Sequence, residues 1–329
     1  MRYVSTAACL TWIGLFNAFA QSNGPIATVV SAGYSPPAGS VQGAPGQVIS
    51  FMAYGLDYAL QNPAVASGSP LPTDLAGISV SLQQGSLAIP LPILSVQQLP
   101  CAPFSLPNFC PVLTIISAQI PFEVQPDCPA CGRIQLPAYL IVSENGANRG
   151  AVLLNLPSDN IHIADPCDTT AVASYTGGAT CGKSVAHADG NPVTSLNPAK
   201  AGEELVMYAL GLGPQTDPPL KTGIQTPSPA PRFQAGASFG LNFDFEPNAS
   251  PTRPRPIPNS SVFSQSAPPL YLGPVVGFVG LYQANFVIPE IPAGSTPLTP
   301  CSALGVQSNL TVTLYGPLSF DGAGICVQP

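Results

Sequence analysis

The sequence predicts an all-β protein made of two tandem β-sandwich domains behind a cleaved signal peptide. Apolar residues come in short runs with period two, which is the pattern of half-buried strands. The 41 prolines and 31 glycines among 329 residues leave little room for long helices. Several segments also recur in the same order later in the chain. A hydrophobic fraction of 45% supplies enough apolar surface for packed cores, so the composition does not indicate disorder.

The first twenty residues have the three-part pattern of a secretory signal peptide. Arg2 is followed by the apolar run Ala7–Phe16 and by the small residues Ala18 and Ala20. We therefore expect a mature chain that begins at Gln21 and is secreted or held at the cell surface. No later run reaches 18 uninterrupted apolar residues, so no membrane span is expected.

Beyond the leader, short apolar runs are bounded by Pro, Gly, Asn or Asp, as is typical of strands joined by turns. In one run Leu241 and Phe243 alternate with Asn242 and Asp244, which predicts a strand with one face toward a core. The Asp189-Gly190 step suits a hairpin turn, because Gly adopts positive φ without a steric cost. The segments expected to be strands are 47–54, 77–82, 113–122, 139–143, 151–156, 205–210, 239–245, 278–288 and 309–315.

Three pairs of segments match each other without gaps and in the same order. The offset is 156 residues for the first pair, 168 for the second and 159 for the third. Two copies of about 150 residues fit the ordinary size of a domain. The pairs are Pro45–Leu56 with Ala201–Leu212, Ser117–Pro121 with Asn285–Pro289, and Gly146–Leu156 with Gly305–Tyr315.

These matches predict two domains behind the leader, which itself occupies residues 1–20. We expect a first β-sandwich domain at 21–165 and a second at 166–329, with the boundary in the stretch Ala164–Ala179. The second domain contains a Pro-rich stretch around 226–269, which we expect to be an insertion.

The repeated segments also carry a resemblance to a known family. The runs PGQVISFMAYGLDYA, PLPTDLAGISVSL, ISAQIPFEV, NPAKAGEELVMYALGLGP and GFVGLYQANFVIP resemble an uncharacterised domain family that is abundant in secreted proteins of Acidobacteria. Its repeats are similar to immunoglobulin-like IPT/TIG domains, so the resemblance implies two immunoglobulin-like sandwiches. It brings no known activity and no catalytic residues. The chain departs from the family pattern in its cysteines and in its Pro-rich stretch.

The cysteines agree with export. Nine are present, Cys9 leaves with the leader, and the even number that remains predicts disulfides in an oxidising compartment. Connectivity does not follow from sequence, but each neighbouring pair brackets a loop that contains Pro or Gly, which favours four local disulfides. The expected pairs are Cys101–Cys110, Cys128–Cys131, Cys167–Cys181 and Cys301–Cys326.

One of these pairs, Cys128-Pro129-Ala130-Cys131, has the spacing of a redox motif. Such a motif needs a helix N-terminus to lower the thiol pKa, and the residues after Arg133 follow an extended pattern. A zinc site would need a second such pair or spaced histidines, and the sequence has neither. We therefore expect a loop disulfide.

The charge balance argues against a nucleic-acid partner. Lys and Arg number 9 against 16 Asp and Glu, which gives a formal net charge of −7. A protein that binds nucleic acid or anionic lipid needs a basic patch. We expect neither partner.

The segment Gly236-Ala237-Ser238-Phe239-Gly240 fits the pattern of a hydrolase nucleophile elbow. That elbow places the serine between a strand and a helix and needs a histidine as base. Here a strand pattern follows, and both histidines precede Ser238. Our interpretation is that Ser238 is not a nucleophile.

Five polar residues near the expected boundary have side chains that bind metals or transfer protons: His162, Asp165, Asp168, His187 and Asp189. Scattered loop residues are the more common explanation for such a set. We therefore predict no catalytic residue, no cofactor and no metal ligand.

Asp244 and Glu246 lie two residues apart on one predicted strand, and we expect both on a solvent face. Asn248, Asn259 and Asn309 begin glycosylation sequons, which we expect to be unused in a bacterial protein.

Exposed aromatic rings are the remaining candidates for ligand contact, because a ring stacks on apolar ligand surfaces. Tyr34, Tyr58, Tyr175 and Tyr271 have loop-like surroundings and are suited to this role, and a tyrosine that closes the end of a sandwich is an equally common explanation.

Without a catalytic site, the sequence favours a non-enzymatic module that is secreted or on the cell surface. Its partner would be a protein or a polysaccharide of the cell envelope or the surroundings. The alternative is a secreted hydrolase with an unrecognised serine or carboxylate site; convergent polar groups in a cleft would favour it.

Overall fold

The computed structural model describes residues 28–30, 41–57, 60–99, 112–126, 136–165, 168, 182–234, 237–254, 264–291 and 298–328. Within these ranges the chain forms strands, turns and loops and contains no helix, which confirms the all-β class. Each segment predicted to be a strand overlaps one. No helix long and apolar enough to cross a membrane occurs in these ranges. The leader lies outside them.

Two sheets, I and II, form the N-terminal half. Their strands are β1 (Thr28–Val30), β2 (Val41–Gln42), β3 (Val48–Tyr54), β4 (Ala64–Val65), β5 (Asp74–Leu75), β6 (Ile78–Gln84), β7 (Leu87–Pro90), β8 (Ile93–Leu99), β9 (Leu113–Gln119), β10 (Ala138–Glu144) and β11 (Ala147–Asn155). Sheet I has the order β1-β3-β9-β8-β4. Sheet II has the order β2-β11-β10-β6-β5, with β7 paired to β6.

Three sheets form the C-terminal half. Their strands are β12 (His162–Ile163), β13 (Val185–His187), β14 (Glu204–Leu210), β15 (Thr216–Asp217), β16 (Arg232–Phe233), β17 (Gly240–Asp244), β18 (Ser264–Ala267), β19 (Tyr271–Pro274), β20 (Leu281–Val287), β21 (Leu310–Tyr315) and β22 (Phe320–Ile325). Sheet III has the order β12-β14-β20-β19, with β13 also paired to β14. Sheet IV is β15-β16, and sheet V is β18-β17-β21-β22.

Sheets I and II enclose one hydrophobic core. Phe51 and Ile116 come from sheet I, Leu82 and Leu140 come from sheet II, and all four side chains are 0% exposed. Because successive side chains of a strand point to opposite faces, every second residue of these strands reaches the core. The period-two pattern of the sequence therefore corresponds to packing in the structure.

Sheets III and V enclose a second core. Phe243 of sheet V and Phe286 of sheet III meet there, with ring centroids 5.9 Å apart. Ile161 and Ile163 belong to this core as well, and both are fully buried. The chain thus joins the second core just before residue 165, the end expected for the first domain.

The two halves share their central strand pairs. β3 and β14 cover positions 156 residues apart, and β9 and β20 cover positions 168 apart, as in the first two sequence matches. Their registers agree, since Met52 pairs with Ile115 and Tyr208 pairs with Gln283.

The third sequence match follows a different correspondence. The sequence match aligned β11 with β21. In the sheets, however, β21 lies between β17 and β22, as β10 lies between β6 and β11. By its position in the sheet, β21 therefore corresponds to β10. Both β11 and β21 are apolar strands that follow a glycine-containing turn, so a short match arises from pattern alone.

A glycine ends the central strand in each half. Gly55 and Gly211 have φ of 77° and 76°, a conformation that other residues rarely adopt. A Cβ at Gly211 would also lie 2.0 Å from the carbonyl oxygen of Asn160. Any larger residue at Gly211 would displace the segment that connects the two halves.

A pair of buried amides joins the halves at this segment. Gln47 of the N-terminal half donates through Nε2 to the carbonyl oxygen of Asn160 at 3.1 Å. Asn160 donates through Nδ2 to Oε1 of Gln47 at 3.0 Å. The two side chains are 1% and 5% exposed, so the hydrogen bonds are shielded from competing water.

A second contact joins the halves through a loop of the C-terminal half. Gly223 donates its N–H to Oε1 of Gln119 at 2.7 Å, and Gln119 donates to the carbonyl oxygen of Gly46 at 3.1 Å. The hydroxyl of Thr222 donates to Glu123 at 2.6 Å. With this second attachment, the orientation of one half on the other is determined by several hydrogen bonds.

The Pro-rich stretch 226–269 is part of the C-terminal half and not only an insertion. It contains β17, which pairs with β18 on one side and with β21 on the other. Leu241 and Phe243 of β17 are 0% exposed in the second core. The prolines of this stretch that the structure describes lie outside its strands.

The disulfide Cys301–Cys326 is present, with its Cα atoms 5.9 Å apart. It connects the loop before β21 to the end of β22. The cysteines of the other three expected pairs lie outside the described residues: Cys101, Cys110, Cys128, Cys131, Cys167 and Cys181.

We predict that Gln119→Ala destabilises the mature chain by about 1–3 kcal/mol, because Gly223 N–H and the Gly46 carbonyl lose a buried partner. Urea unfolding measures this difference, and Gln83→Ala, at an exposed position of β6, is the matched control. Equal free energies of unfolding for the two variants would contradict the role given to the Gln119 contact.

Candidate functional site

Sheet III turns one face to the core, and several side chains of its other face are partly exposed, although Leu210 at the end of β14 is buried there. On β14, Met207 and Ala209 are 0% exposed, whereas Tyr208 between them points outward and is 37% exposed. On β20, Ala284 faces the core and Gln283 faces outward. The same alternation that builds the core therefore presents a second set of side chains at the surface.

Two tyrosines and one glutamine form a row across this open face. Tyr208 pairs with Gln283 on the next strand, and Gln283 pairs with Gly273 on β19. The ring of Tyr271 folds over Gly273, because a Cβ there would lie 2.4 Å from the tyrosine hydroxyl oxygen. Tyr271 is 39% exposed. The Tyr208 and Gly273 backbone positions are two strand spacings apart, about 10 Å.

Amide and carboxylate groups continue the surface along the strands. Gln283 donates through Nε2 to Oδ1 of Asn285 at 2.7 Å. Asn285 donates through Nδ2 to Oε1 of Glu204 at 3.0 Å. These bonds hold the side chains in fixed positions on the sheet. We call the set Glu204, Tyr208, Tyr271, Gln283 and Asn285 the tyrosine face.

The matching position in the N-terminal half is apolar and covered. Met52 and Ile115 pair in the register of Tyr208 and Gln283, and they are 2% and 4% exposed. The two halves thus use the same strand pair differently. The sequence match already aligned Met52 with Tyr208, and this difference was the signal that could have identified Tyr208.

Of the four tyrosines proposed from sequence, Tyr271 lies on the tyrosine face, at the start of β19 and not in a loop. Tyr34, Tyr58 and Tyr175 lie outside the described residues.

His162 lies in a buried charge cluster at the edge of sheets III and V. Its Nε2 is 3.0 Å from both oxygens of Asp168, and its Nδ1 is 3.4 Å from Oδ2 of Asp321. The ammonium group of Lys183 contacts the other Asp321 oxygen. The backbone N–H of Asp165 donates to Asp168 at 2.8 Å. The sequence had grouped three of these residues, and the structure adds Lys183 and Asp321.

Contacts within the cluster shift the pKa values of His162 and Asp321. Burial alone would lower the pKa of His162, but hydrogen bonds and charge from Asp168 and Asp321 outweigh burial and raise it. Burial would raise the pKa of Asp321, but the His162 hydrogen bond and the Lys183 charge outweigh it and lower the pKa. His162 itself is only 2% exposed, and its contacts connect β12 to Asp168 and to Asp321 of β22.

His187 belongs to a separate cluster. Its Nδ1 is 2.5 Å from Oε1 of Glu203, which raises the pKa of His187, and its Nε2 is 3.2 Å from the Asn197 carbonyl. Asp189 instead accepts from the backbone N–H of Asn191 within the predicted hairpin turn. The described residues contain no group of three or more His, Cys, Asp or Glu side chains that could hold a metal ion.

Ser238 is followed by β17, which begins at Gly240, and no helix follows it as a nucleophile elbow requires. Gly236 of the motif lies outside the described residues. The local structure around Ser238 therefore differs from that of a hydrolase elbow.

The expected solvent position of Asp244 is wrong. Asp244 is 4% exposed and accepts from Asn242 at 3.1 Å and from the Thr252 hydroxyl at 2.8 Å. The segment around Thr252 covers this face of sheet V, where the Thr252 N–H also donates to Thr313 at 3.1 Å. Alternation placed Asp244 opposite the core correctly, but a second layer covers it. Glu246 is half-buried.

Two of the three sequon asparagines are engaged in hydrogen bonds. Asn309 is 0% exposed and donates to carbonyl oxygens of Thr299 and Val327, so it is not accessible to a glycosyl transferase in the folded chain. Asn248 donates to the Gly305 carbonyl at 2.7 Å. Asn259 lies outside the described residues.

Neither a protein-family model nor a curated protein matches the chain. Among solved structures, the C-terminal domain of the AgI/II polypeptide BspA from Streptococcus agalactiae is similar over 93% of this chain and 100% of that chain. The sequence identity is 8% and the TM-score is 0.21. A similarity of this size establishes neither a common fold nor a common function, so the candidate site stands on its own geometry.

We predict that the buried cluster makes stability depend on pH. Because the pKa of His162 is raised above its ordinary value of 6.5, its stabilisation is complete below that pH and is lost as the pH rises through the folded-state pKa. Urea unfolding at several pH values measures this in the His187→Gln chain, which removes the other histidine. Adding His162→Gln should flatten the dependence in that window. An unchanged slope would contradict the prediction.

Proposed function

We propose that the chain is an exported, non-enzymatic binding module made of two immunoglobulin-like β-sandwich domains, with the tyrosine face as its binding surface. The observation that carries this proposal is the contrast between the halves. Met52 and Ile115 are buried, whereas Tyr208 is 37% exposed and Gln283 is partly exposed, although both pairs have the same register. Half-exposed rings beside oriented amides are typical of surfaces that contact ligands.

The sheet arrangement supports the sandwich part of the proposal. In each half two sheets enclose one core, and antiparallel strands dominate the pairing. Paired sheets around a shared core are the architecture of immunoglobulin-like domains. The equal registers of β3 with β9 and of β14 with β20 support two copies of one domain.

The disulfide supports export. Cys301–Cys326 forms in the folded chain, and disulfides persist in oxidising compartments. It agrees with the signal-peptide pattern of the first twenty residues. We infer that the mature chain acts outside the cytoplasm or at the cell surface, where its partner is a protein or a polysaccharide.

The non-enzymatic part rests on the state of the polar side chains that a hydrolase would use. Both His162 and His187 are engaged with carboxylates, and Ser238 precedes a strand. Asp244 is held beneath the segment around Thr252. Serine hydrolysis needs a nucleophile and a base that both reach the substrate. These features of the described residues support a binding role over serine hydrolysis.

We predict that the mature chain binds cell-envelope material through the tyrosine face. Replacing Tyr208 or Tyr271 with Ala should weaken binding about tenfold each, because truncation of a central aromatic contact costs more than about 1 kcal/mol. Biolayer interferometry with the immobilised chain and a fractionated envelope measures this. Tyr139→Ala is the control, since Tyr139 is 41% exposed on β10 of the other half.

Two results would contradict the proposal. One is a Tyr139→Ala chain that loses binding while the Tyr208→Ala and Tyr271→Ala chains bind as tightly as the unmodified chain. The other is turnover of generic ester, peptide or glycoside substrates by the mature chain, because a binding module has no such activity.

A further inference from the structure

We propose that the ligand of the tyrosine face is an extended neutral polysaccharide, which lies across the strands from Tyr208 to Tyr271. This inference rests on the proposed function and adds the chemical class and the direction of the ligand. Three properties of the face carry it: the pairing of rings with amides, the spacing of the rings, and the charge.

The groups of the face match the two kinds of surface that a sugar presents. The C–H faces of a pyranose ring are apolar and pack on aromatic rings, such as Tyr208 and Tyr271. Its hydroxyls both donate and accept hydrogen bonds. The amides of Gln283 and Asn285 do the same, and their mutual bond at 2.7 Å holds them in place between the rings. The binding of a sugar therefore costs little side-chain conformational entropy.

The spacing of the rings selects a chain of sugars over a single one. Tyr208, Gln283 and Gly273 lie opposite one another on three adjacent strands, and the Tyr271 ring covers Gly273. The backbone positions Tyr208 and Gly273 are therefore two strand spacings apart, about 10 Å. A single pyranose ring cannot contact both tyrosines, whereas successive rings of one chain can. The chain must then run across the strands.

The charge of the face favours a neutral polymer. Glu204 is the acidic residue of the tyrosine face, and it is exposed where it accepts a hydrogen bond from Asn285. The whole chain has a formal net charge of −7. An acidic polysaccharide would meet repulsion from both, with no cation among the five residues of the tyrosine face to offset it. Binding of a neutral polymer needs no ion pair, so salt should change it little.

A protein partner fits the face less well. The centre of a protein interface is depleted of charge and is packed from fully buried apolar groups. On this face the amides of Gln283 and Asn285 lie between Tyr208 and Tyr271. Two valines of the same face lie beside them: Val206 is partly buried, and Val287 is 37% exposed. This arrangement is better suited to a ligand with hydroxyls along its length.

The test is affinity electrophoresis of the mature full chain in native gels. The neutral probes are laminarin, xyloglucan and galactomannan, and the acidic probes are alginate and polygalacturonate. We expect at least one neutral polymer to slow migration, and neither acidic one. Tyr208→Ala and Tyr271→Ala should each lower the affinity about tenfold, whereas Tyr139→Ala should leave it unchanged. Added salt should have little effect, and free glucose should compete far less well than an oligosaccharide of the same polymer.

Several results would overturn the inference: no retardation by any neutral polymer, stronger retardation by an acidic one, equal competition by glucose, or retardation that survives both tyrosine substitutions. Envelope binding distinguishes this failure from failure of the proposed function. If the face variants still lose binding to an envelope fraction, the face is a binding surface for another ligand, and only the polysaccharide inference fails. If the two tyrosine variants keep full binding both to the envelope fraction and to the polysaccharides, both proposals fail.

Discussion

The alternation of side chains along the central strands is the constraint on which the rest of the structure depends. Two hydrophobic cores take every second residue of β3, β9, β14 and β20, so those positions have little freedom to carry function. The outward-facing positions of these strands do not pack in those cores. In the N-terminal half they are Met52 and Ile115, which are buried, and in the C-terminal half they are Tyr208 and Gln283, which are open. One strand pair thus serves packing on both faces in one half and presents a surface in the other.

Buried polar contacts then determine how that surface is held. The amides of Gln47 and Asn160 bond each other between the halves, and Gln119 bonds Gly223 of a C-terminal loop. A buried amide that loses its partner is costly, so these contacts resist separation of the halves. The cluster around His162 has a similar role within the C-terminal half. The buried amides thus hold the two halves together, and the histidine and carboxylates of the cluster hold segments of the C-terminal half together.

The strands were predictable from sequence wherever alternation is strong, as in β14 and β20. β22 was missed because Phe320–Ile325 contains two glycines and little apolar surface, and β8 because its run follows a proline closely. For the site, Tyr271 was identified from its surroundings but Tyr208 was not. Alternation tells which residues face away from a core, but it does not tell whether another layer covers them. For this reason the sequence did not predict that Asp244 is covered or that Tyr208 is exposed.

The central claim is that a neutral polysaccharide occupies the open face of sheet III. Its most direct test is chemical protection: tyrosines of the mature chain are iodinated with and without the polymer, and peptide mass spectrometry reads each site. Tyr139, which is 41% exposed on the other half, is the internal reference. The account predicts that Tyr208 and Tyr271 are protected together while Tyr139 reacts unchanged. Protection of Tyr139 with continued reaction of Tyr208 and Tyr271 would contradict it.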